Sequence, residues 1–362
     1  MAETRTGHPY HAYEAILAQP GLIDLVLGQR EGIERAAQAV AQKERVIFVG
    51  IGTSLNAARV AEGWLREFSG GRVWAHAEQS FEFAHHPIAL NASDAVMVIT
   101  HTGTTTASVE VLRLARAAGA LTVVITGKMS GDGVRGADFH LETCEQELAF
   151  AYTKSYTTAL AALAIIAMRI AEKKTGAAQT ERLVELSRVP QFVRQALKLE
   201  PQVREWARRI AELSRIEIFG SGAAWATASE AALKIKEACY IAAEGFETEE
   251  ILHGPFSETD SRGSLVGLLV GDATDERGRQ ILRAAGDLKM RRAAITVPSA
   301  NHALDAEKIV VVPECAAWLA AFVHLVPLQL LMYHLALERG TSPDSGRMEQ
   351  AEHAAASQHY KY

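Results

Sequence analysis

A chain of 362 residues with 48% hydrophobic and 22% charged residues has the length for two globular domains and is too apolar for intrinsic disorder. Its net charge of −6, with no Lys/Arg-rich block, excludes the basic footprint of a nucleic-acid binder but not a small anionic ligand, which needs only a local cradle of donors. The three cysteines, Cys144, Cys239 and Cys315, form no C-x-x-C pair, which excludes a disulfide framework or cysteine zinc site and fits reduced thiols in the cytoplasm.

The first 20 residues are polar and lack the apolar core of a signal peptide. Residues 8–43 are helical in pattern, with a break expected at Gln19-Pro20. The apolar run Val46-Ile47-Phe48-Val49 reads as a buried strand, followed by Gly50-Ile51-Gly52-Thr53-Ser54 and an amphipathic helix to about Phe68. A second buried strand, Ala95-Val96-Met97-Val98-Ile99, runs into a threonine-rich turn and a helix to about Ala118. Leu121-Thr122-Val123-Val124-Ile125 is a third strand, and residues 157–173 form a long apolar helix. A polar helical connector covers about 176–209.

The same order then returns. Ile216-Glu217-Ile218-Phe219 is a strand, Gly220-Ser221-Gly222 a turn, and residues 224–240 a helix. Strands are expected at 265–270, 293–297 and 309–312, a helix at 275–289, and a long apolar helix from about Cys315. The apolar stretch at 159–168 is too short to span a membrane, and His324, Pro327, Gln329 and His334 interrupt the one at 315–337. Both read as core helices, and no membrane partner is expected.

Apolar strands alternating with helices predict parallel sheets covered on both faces, and the repeated strand–glycine turn–helix unit predicts an internal duplication. The fold class expected is α/β, with two tandem doubly wound parallel-sheet domains of three-layer, flavodoxin-like form. The expected division is a helical segment at 1–35, domains at 36–174 and 211–341, a connector at 175–210 and a tail at 342–362.

Parallel sheets place ligands at the carboxyl ends of their strands. Leu55 stands where G-x-G-x-x-G needs its third glycine, so Gly50-Ile51-Gly52 argues against a dinucleotide, and no cofactor is expected. Thr53 and Ser54 instead offer hydroxyls at a helix start. Five of the seven residues 100–106 are threonines, around His101 and Gly103. Hydroxyls, backbone N–H groups and the positive end of a helix converge there, which suits a phosphate monoester; the plainer reading is a threonine N-cap. Glu230, Lys234 and Glu237 share one helix face by spacing, as catalytic groups or as a solvated ion-pair ladder. His253 precedes Gly254-Pro255 and reads equally as a loop residue or an acid/base. No set of side chains has metal-ligand spacing, and no metal is expected.

Several ordered motifs resemble a known family. Ala232-Leu233-Lys234-Ile235-Lys236-Glu237-Ala238-Cys239-Tyr240, Glu250-Ile251-Leu252-His253-Gly254-Pro255 and Val326-Pro327-Leu328-Gln329-Leu330-Leu331 resemble segments in the isomerase half of glucosamine-6-phosphate synthase. Gly52-Thr53-Ser54 and Thr153-Lys154-Ser155-Tyr156-Thr157-Thr158 are similar to its first sugar-isomerase (SIS) module. The resemblance implies that Gly52, Thr53, Ser54, Thr100, His101, Thr102, Gly103, Thr105 and Thr153 bind a sugar phosphate. It implies that Glu237 shuttles a proton between C1 and C2 with Lys234 beside it, and that His253 opens the sugar ring from a partner subunit. A phosphosugar ligand and a homodimer with shared active sites follow as expectations.

The chain departs from that family in three places. No cysteine-nucleophile glutaminase half precedes the resemblance, so a deaminating or purely isomerising direction is expected. Arg347-Met348-Glu349-Gln350-Ala351 puts Ala351 where the synthase has an imine-forming lysine, and the nearest tail lysine is Lys361. His101 and Thr104 replace a Gln and a Glu of the phosphate loop, and Tyr152 replaces a Ser. The expected reaction is glucosamine 6-phosphate to fructose 6-phosphate plus ammonia. A galactosamine-6-phosphate deaminase, a fructosamine-6-phosphate deglycase, a synthase supplied with ammonia by a separate subunit, and a non-catalytic sugar-phosphate sensor remain open.

Overall fold

A computed structural model describes residues 5–360 of the chain. The described elements begin with α1 (His11–Gly28), α2 (Arg30–Val40), β1 (Arg45–Gly50), α3 (Thr53–Phe68), β2 (Trp74–Gln79), α4 (Ser80–His85), β3 (Asp94–Ile99), α5 (Thr106–Ala117), β4 (Leu121–Thr126), β5 (Phe139–Glu142) and α6 (Lys154–Thr175). They continue with α7 (Thr180–Leu197), α8 (Glu200–Ile210), β6 (Arg215–Gly220), α9 (Ala223–Cys239), β7 (Ala242–Glu247), β8 (Gly263–Leu269), α10 (Asp275–Asp287), β9 (Arg291–Thr296), β10 (Lys308–Val311), α11 (Ala320–Val323), α12 (Leu325–Glu338) and α13 (Ala351–Ala356).

The chain divides into two compact units. The first comprises residues 21–147 and 154–188; the second comprises residues up to 20, 148–153 and 189 onward. Each holds a five-stranded parallel sheet. The first has the order β2-β1-β3-β4-β5; the second, read from its other end, has the same order as β7-β6-β8-β9-β10. The apolar runs of β1, β3 and β4 are buried because helices cover both faces of the sheet. On one face Ile47, Val49, Val96, Val98 and Val124, alternate residues of three strands, meet Val111 and Leu112 of α5 and Phe83 of α4. Elsewhere in the same unit α6 packs on α2 and α3. In the second unit α9 lies on β6 and β7, and α12 packs on α8 and α9.

Two stretches, α6 and residues Ala317–Glu338, are long and apolar enough to cross a membrane. The apolar windows of the two are 89% and 100% buried inside the fold, as core helices are. The second is broken at His324, between α11 and α12.

One sequence expectation needs correction, and two features were not foreseen. Gln19-Pro20 does not break the first helix: α1 runs through Pro20, and the chain leaves helical geometry at Gln29 instead. Pro20 has no N–H for the carbonyl of Ile16, and the Gln19 side chain supplies that bond, Nε2 to Ile16 O at 3.0 Å. Strands β2, β5 and β7 carried no apolar run, because they lie at sheet edges and their residues are half-exposed or alternate. The tail also has defined partners. Asp344 accepts from the N–H groups of His11 and Ala12 at 2.8 and 2.9 Å, satisfying two of the donors that open α1. Lys361 lies outside the described residues.

Candidate active site

A sheet of order 2-1-3-4-5 reverses direction between β1 and β3, and ligands of such sheets lie in the crevice outside those strand ends. In the first unit the two loops singled out from sequence leave there. The pairing of Val49 with Val98 sets Gly50 to Ser54 and Thr100 to Thr105 at adjacent strand ends. Gly52 turns the chain with φ 56° and ψ −122°, a backbone region that favours glycine, and Thr53 and Ser54 begin α3 half-buried. Gly50 has no room for a side chain: a Cβ would stand 2.5 Å from the backbone carbon of Ser54. The loop is therefore wound tightly onto the start of α3.

The threonine loop is built differently. Thr100 is buried and its N–H bonds to Ile125 O at 3.0 Å. Gly103 has φ 69°, packed against Ser130. The Thr102 hydroxyl accepts from the Thr104 hydroxyl at 2.9 Å. Thr105 occupies the residue before α5 yet makes no capping bond with its side chain, so the loop's hydroxyls are not explained by helix capping.

His101 sits in this loop as a support. Its Nε2 accepts from the Glu147 N–H at 2.9 Å, and the ring lies so close to Gly127 that a Cβ there would be 2.4 Å from it. Burial, and then the nearby charge of Lys154, push its pKa down to about 4. A neutral ring whose Nε2 is held by the backbone of residue 147 shapes the loop that also carries Thr102 and Gly103. Thr153 belongs to the segment 148–153 of the second unit and is fully buried, so the structure does not bring it into one unit with Thr53 and Thr102.

In the second unit the helix face of Glu230, Lys234 and Glu237 is not a solvated ladder. The Lys234 ammonium lies 2.5 Å from Glu237 Oε2 and 3.8 Å from Glu230 Oε1. The side chains of Lys234 and Glu230 are 2% and 1% exposed, and that of Glu237 is 20% exposed. One cation is thus held between two carboxylates, of which Glu237 reaches solvent. A carboxylate beside an ammonium and open on one side can take up and return a proton.

His253 follows a short 3-10 turn after β7, with its side chain 68% exposed and its Nε2 3.5 Å from Glu249. Its loop leaves the carboxyl end of the strand beside β6. Sequence reasoning missed Tyr240, which has φ 56° where α9 ends. Its hydroxyl donates to Glu349 at 3.0 Å, and the Arg347 guanidinium lies 4.8 Å from its ring centre. The aromatic at a helix end was visible; its partners, more than 100 residues away, were not.

The two glycine turns are matched. Gly222 has φ 57° and ψ −128°, almost the angles of Gly52, and likewise precedes a helix. Ala223 and Ala224 follow it where Thr53 and Ser54 follow the first.

Comparisons with known proteins agree with this duplication. The family model described as SIS domain matches residues 39–169 and again 209–339. A glutamine–fructose-6-phosphate aminotransferase (isomerizing) of Thermococcus kodakarensis is 33% identical over 356 residues, 96% of this chain and 58% of that protein. The chain therefore spans little more than half the length of that relative. Among solved structures, the C-terminal domain of glucosamine-fructose-6-phosphate aminotransferase from Francisella tularensis aligns with a TM-score of 0.88 at 23% identity, covering 94% of this chain and all of that one. A glucosamine-6-phosphate deaminase of Thermotoga maritima aligns with a TM-score of 0.73 at 21% identity, covering 93% and 97%. At these identities the structural likenesses speak for the fold.

Proposed function

Because this chain belongs to the SIS-domain family and carries the module twice, we propose that it is a cytoplasmic phosphosugar isomerase acting on an amino- or keto-hexose 6-phosphate. The reaction favoured is glucosamine 6-phosphate to fructose 6-phosphate and ammonia. The observation that carries the reading is the buried Glu230–Lys234–Glu237 set, in which one carboxylate reaches solvent beside a fixed cation. The name of the Thermococcus relative, which couples amino transfer to isomerisation of fructose 6-phosphate, supports the substrate class.

In this reading Gly52, Thr53 and Ser54, with Thr100, Thr102, Gly103 and Thr105, hold the phosphate. Remote binding energy then positions C1 and C2. Thr153 and His101 enter this reading through the resemblance alone, as members of the phosphate-binding set. Glu237 removes the proton from C2 of the open-chain aldose, leaving an enolamine between C1 and C2. Returning the proton to C1 gives the 2-imino sugar. Water adds at C2, and ammonia leaves to give the ketose. Lys234 stands beside Glu237 as its counter-ion, 2.5 Å away. His253, exposed on its loop, serves as the acid/base for ring opening in a neighbouring copy, so that the working assembly is a homodimer with shared sites. Ala351 at the position of the synthase lysine removes imine formation by the tail from the scheme.

The test combines a substrate screen with one substitution. Hexosamine and ketose 6-phosphates are scored for ammonia release and for aldose–ketose exchange. Glu237→Gln should lower turnover at least about a hundredfold while leaving phosphosugar affinity within about twofold. Wild-type turnover by Glu237→Gln removes that residue from the chemistry. A phosphosugar-induced thermal shift with no product from any candidate identifies a sensor instead.

A further inference from the structure

The second sheet has an unused feature at its amino edge, the edge away from the loops after β6 and β8. A cavity of about 250 Å³ opens there among α8, β8, β9 and β10. Four cationic side chains line it: Arg209 near the end of α8, Arg291 and Arg292 at the start of β9, and Lys308 at the start of β10. Trp206 and Ile210 give it an apolar flank, and Glu307 is the single acidic residue among those lining it.

We propose that this cavity is a binding site for a small phosphorylated anion, separate from the sugar-phosphate loops of the first unit.

One buried polar atom supports a ligand there independently of the charge. Ser264, 1% exposed, lines the cavity, and its hydroxyl has no hydrogen-bond partner. Ser264 pairs with Arg291 across β8 and β9, so the two side chains share one face of the sheet. A buried donor left unsatisfied costs about 1–3 kcal/mol, so the fold retains the Ser264 hydroxyl at a disadvantage that an acceptor-rich ligand would relieve.

The surrounding charges leave an excess of cation. Arg291 reaches Glu307 at 3.2 Å, and Arg292 reaches Asp305 at 2.6 Å and Glu307 at 3.7 Å, so Glu307 is shared between two guanidinium groups. Arg209 pairs with Glu205. The hydrogen-bond partner of Lys308 is the neutral Gln202, at 3.4 Å. Burial lowers the pKa of Lys308; Glu205 opposes that shift and Arg209 adds to it. A phosphate provides what these groups lack: several acceptors with a double negative charge, matched to the planar forks of arginine. The volume suits a group the size of pyrophosphate or a short phosphomonoester, given roughly 30 Å³ for each water it would displace.

The test titrates the full chain with sodium pyrophosphate by isothermal calorimetry at low ionic strength. Arg209→Gln/Arg291→Gln removes two largely exposed cations, so the fold is kept. The wild type should bind, and the double variant should lose that component by at least about tenfold in affinity. Ser264→Ala should weaken it as well. Arg113→Gln/Arg135→Gln, which removes two exposed cations of the first unit, should leave it unchanged. Equal isotherms for wild type and Arg209→Gln/Arg291→Gln, equal losses in the control pair, or no binding of pyrophosphate by the wild type each overturn the proposal.

Discussion

Replacing Lys234 with methionine tests whether the carboxylates of α9 depend on one cation. Glu230 and Lys234 are almost wholly buried, with their charges 3.8 Å apart. At an effective dielectric of about 20 that separation corresponds to about 4 kcal/mol. Breaking a buried pair by removing one partner costs a similar amount, about 3–5 kcal/mol, because the remaining charge stays desolvated. Lys234→Met should therefore destabilise the second unit by about 4 kcal/mol, measured by urea unfolding followed by far-ultraviolet circular dichroism. Glu230→Gln/Lys234→Met, which leaves no buried charge behind, should recover more than half of that loss, a coupling that a double-mutant cycle isolates. Turnover should stay low in both, since Glu237 has lost its counter-ion in each. A Lys234→Met protein within about 1 kcal/mol of wild type would refute the reasoning, because that is the range of an exposed ion pair.

Two further outcomes are expected. Gly50→Ala places a Cβ 2.5 Å from the backbone of Ser54, which must shift the start of α3; calorimetry should show phosphosugar affinity at least about tenfold weaker with a stability loss of roughly 1–3 kcal/mol, and wild-type affinity would contradict the loop assignment. His324 is fully buried, its Nε2 donates to Leu269 O at 3.1 Å, and burial pushes its pKa to about 4 from an ordinary 6.5. The folded state binds the proton less well than the unfolded one, so stability is complete above pH 6.5 and falls as the pH drops toward 4. Between pH 7 and pH 5 this histidine alone should remove roughly 2 kcal/mol. His324→Gln should show a correspondingly shallower loss in urea melts at the two pH values, and equal slopes would exclude this origin.

The central strands were legible because burial on both faces demands unbroken apolar runs, and Val46 to Val49 and Ala95 to Ile99 supply them. The glycine turns were legible because strand, turn and helix follow one another within a few residues. What depended on distant partners was not. The spacing of Glu230, Lys234 and Glu237 is the same on a solvated face as in the buried set the structure contains, and only packing of the helix decides between them. The Nε2 of His101 accepts from a backbone N–H 46 residues on, a contact no local pattern announces. Pro20 looked like a helix break because the compensating donor is a side chain, which local propensity does not count. Glu217, buried in β6 with its pKa raised to about 7 by desolvation, sits inside an apolar strand pattern with no local sign of its role.

The paired bends at Gly52 and Gly222 separate two kinds of inheritance. Both copies keep the bend, since Gly50 and Gly220 each abut the helix that follows, with Cβ clearances of 2.5 Å and 2.9 Å. Only one copy keeps oxygen-bearing side chains immediately after it. Shape here is maintained by the demands of folding, whatever chemistry is present, while the groups that decorate it are free to drift. A doubled module of this kind preserves an empty mould in one half, ready to be furnished again by two substitutions.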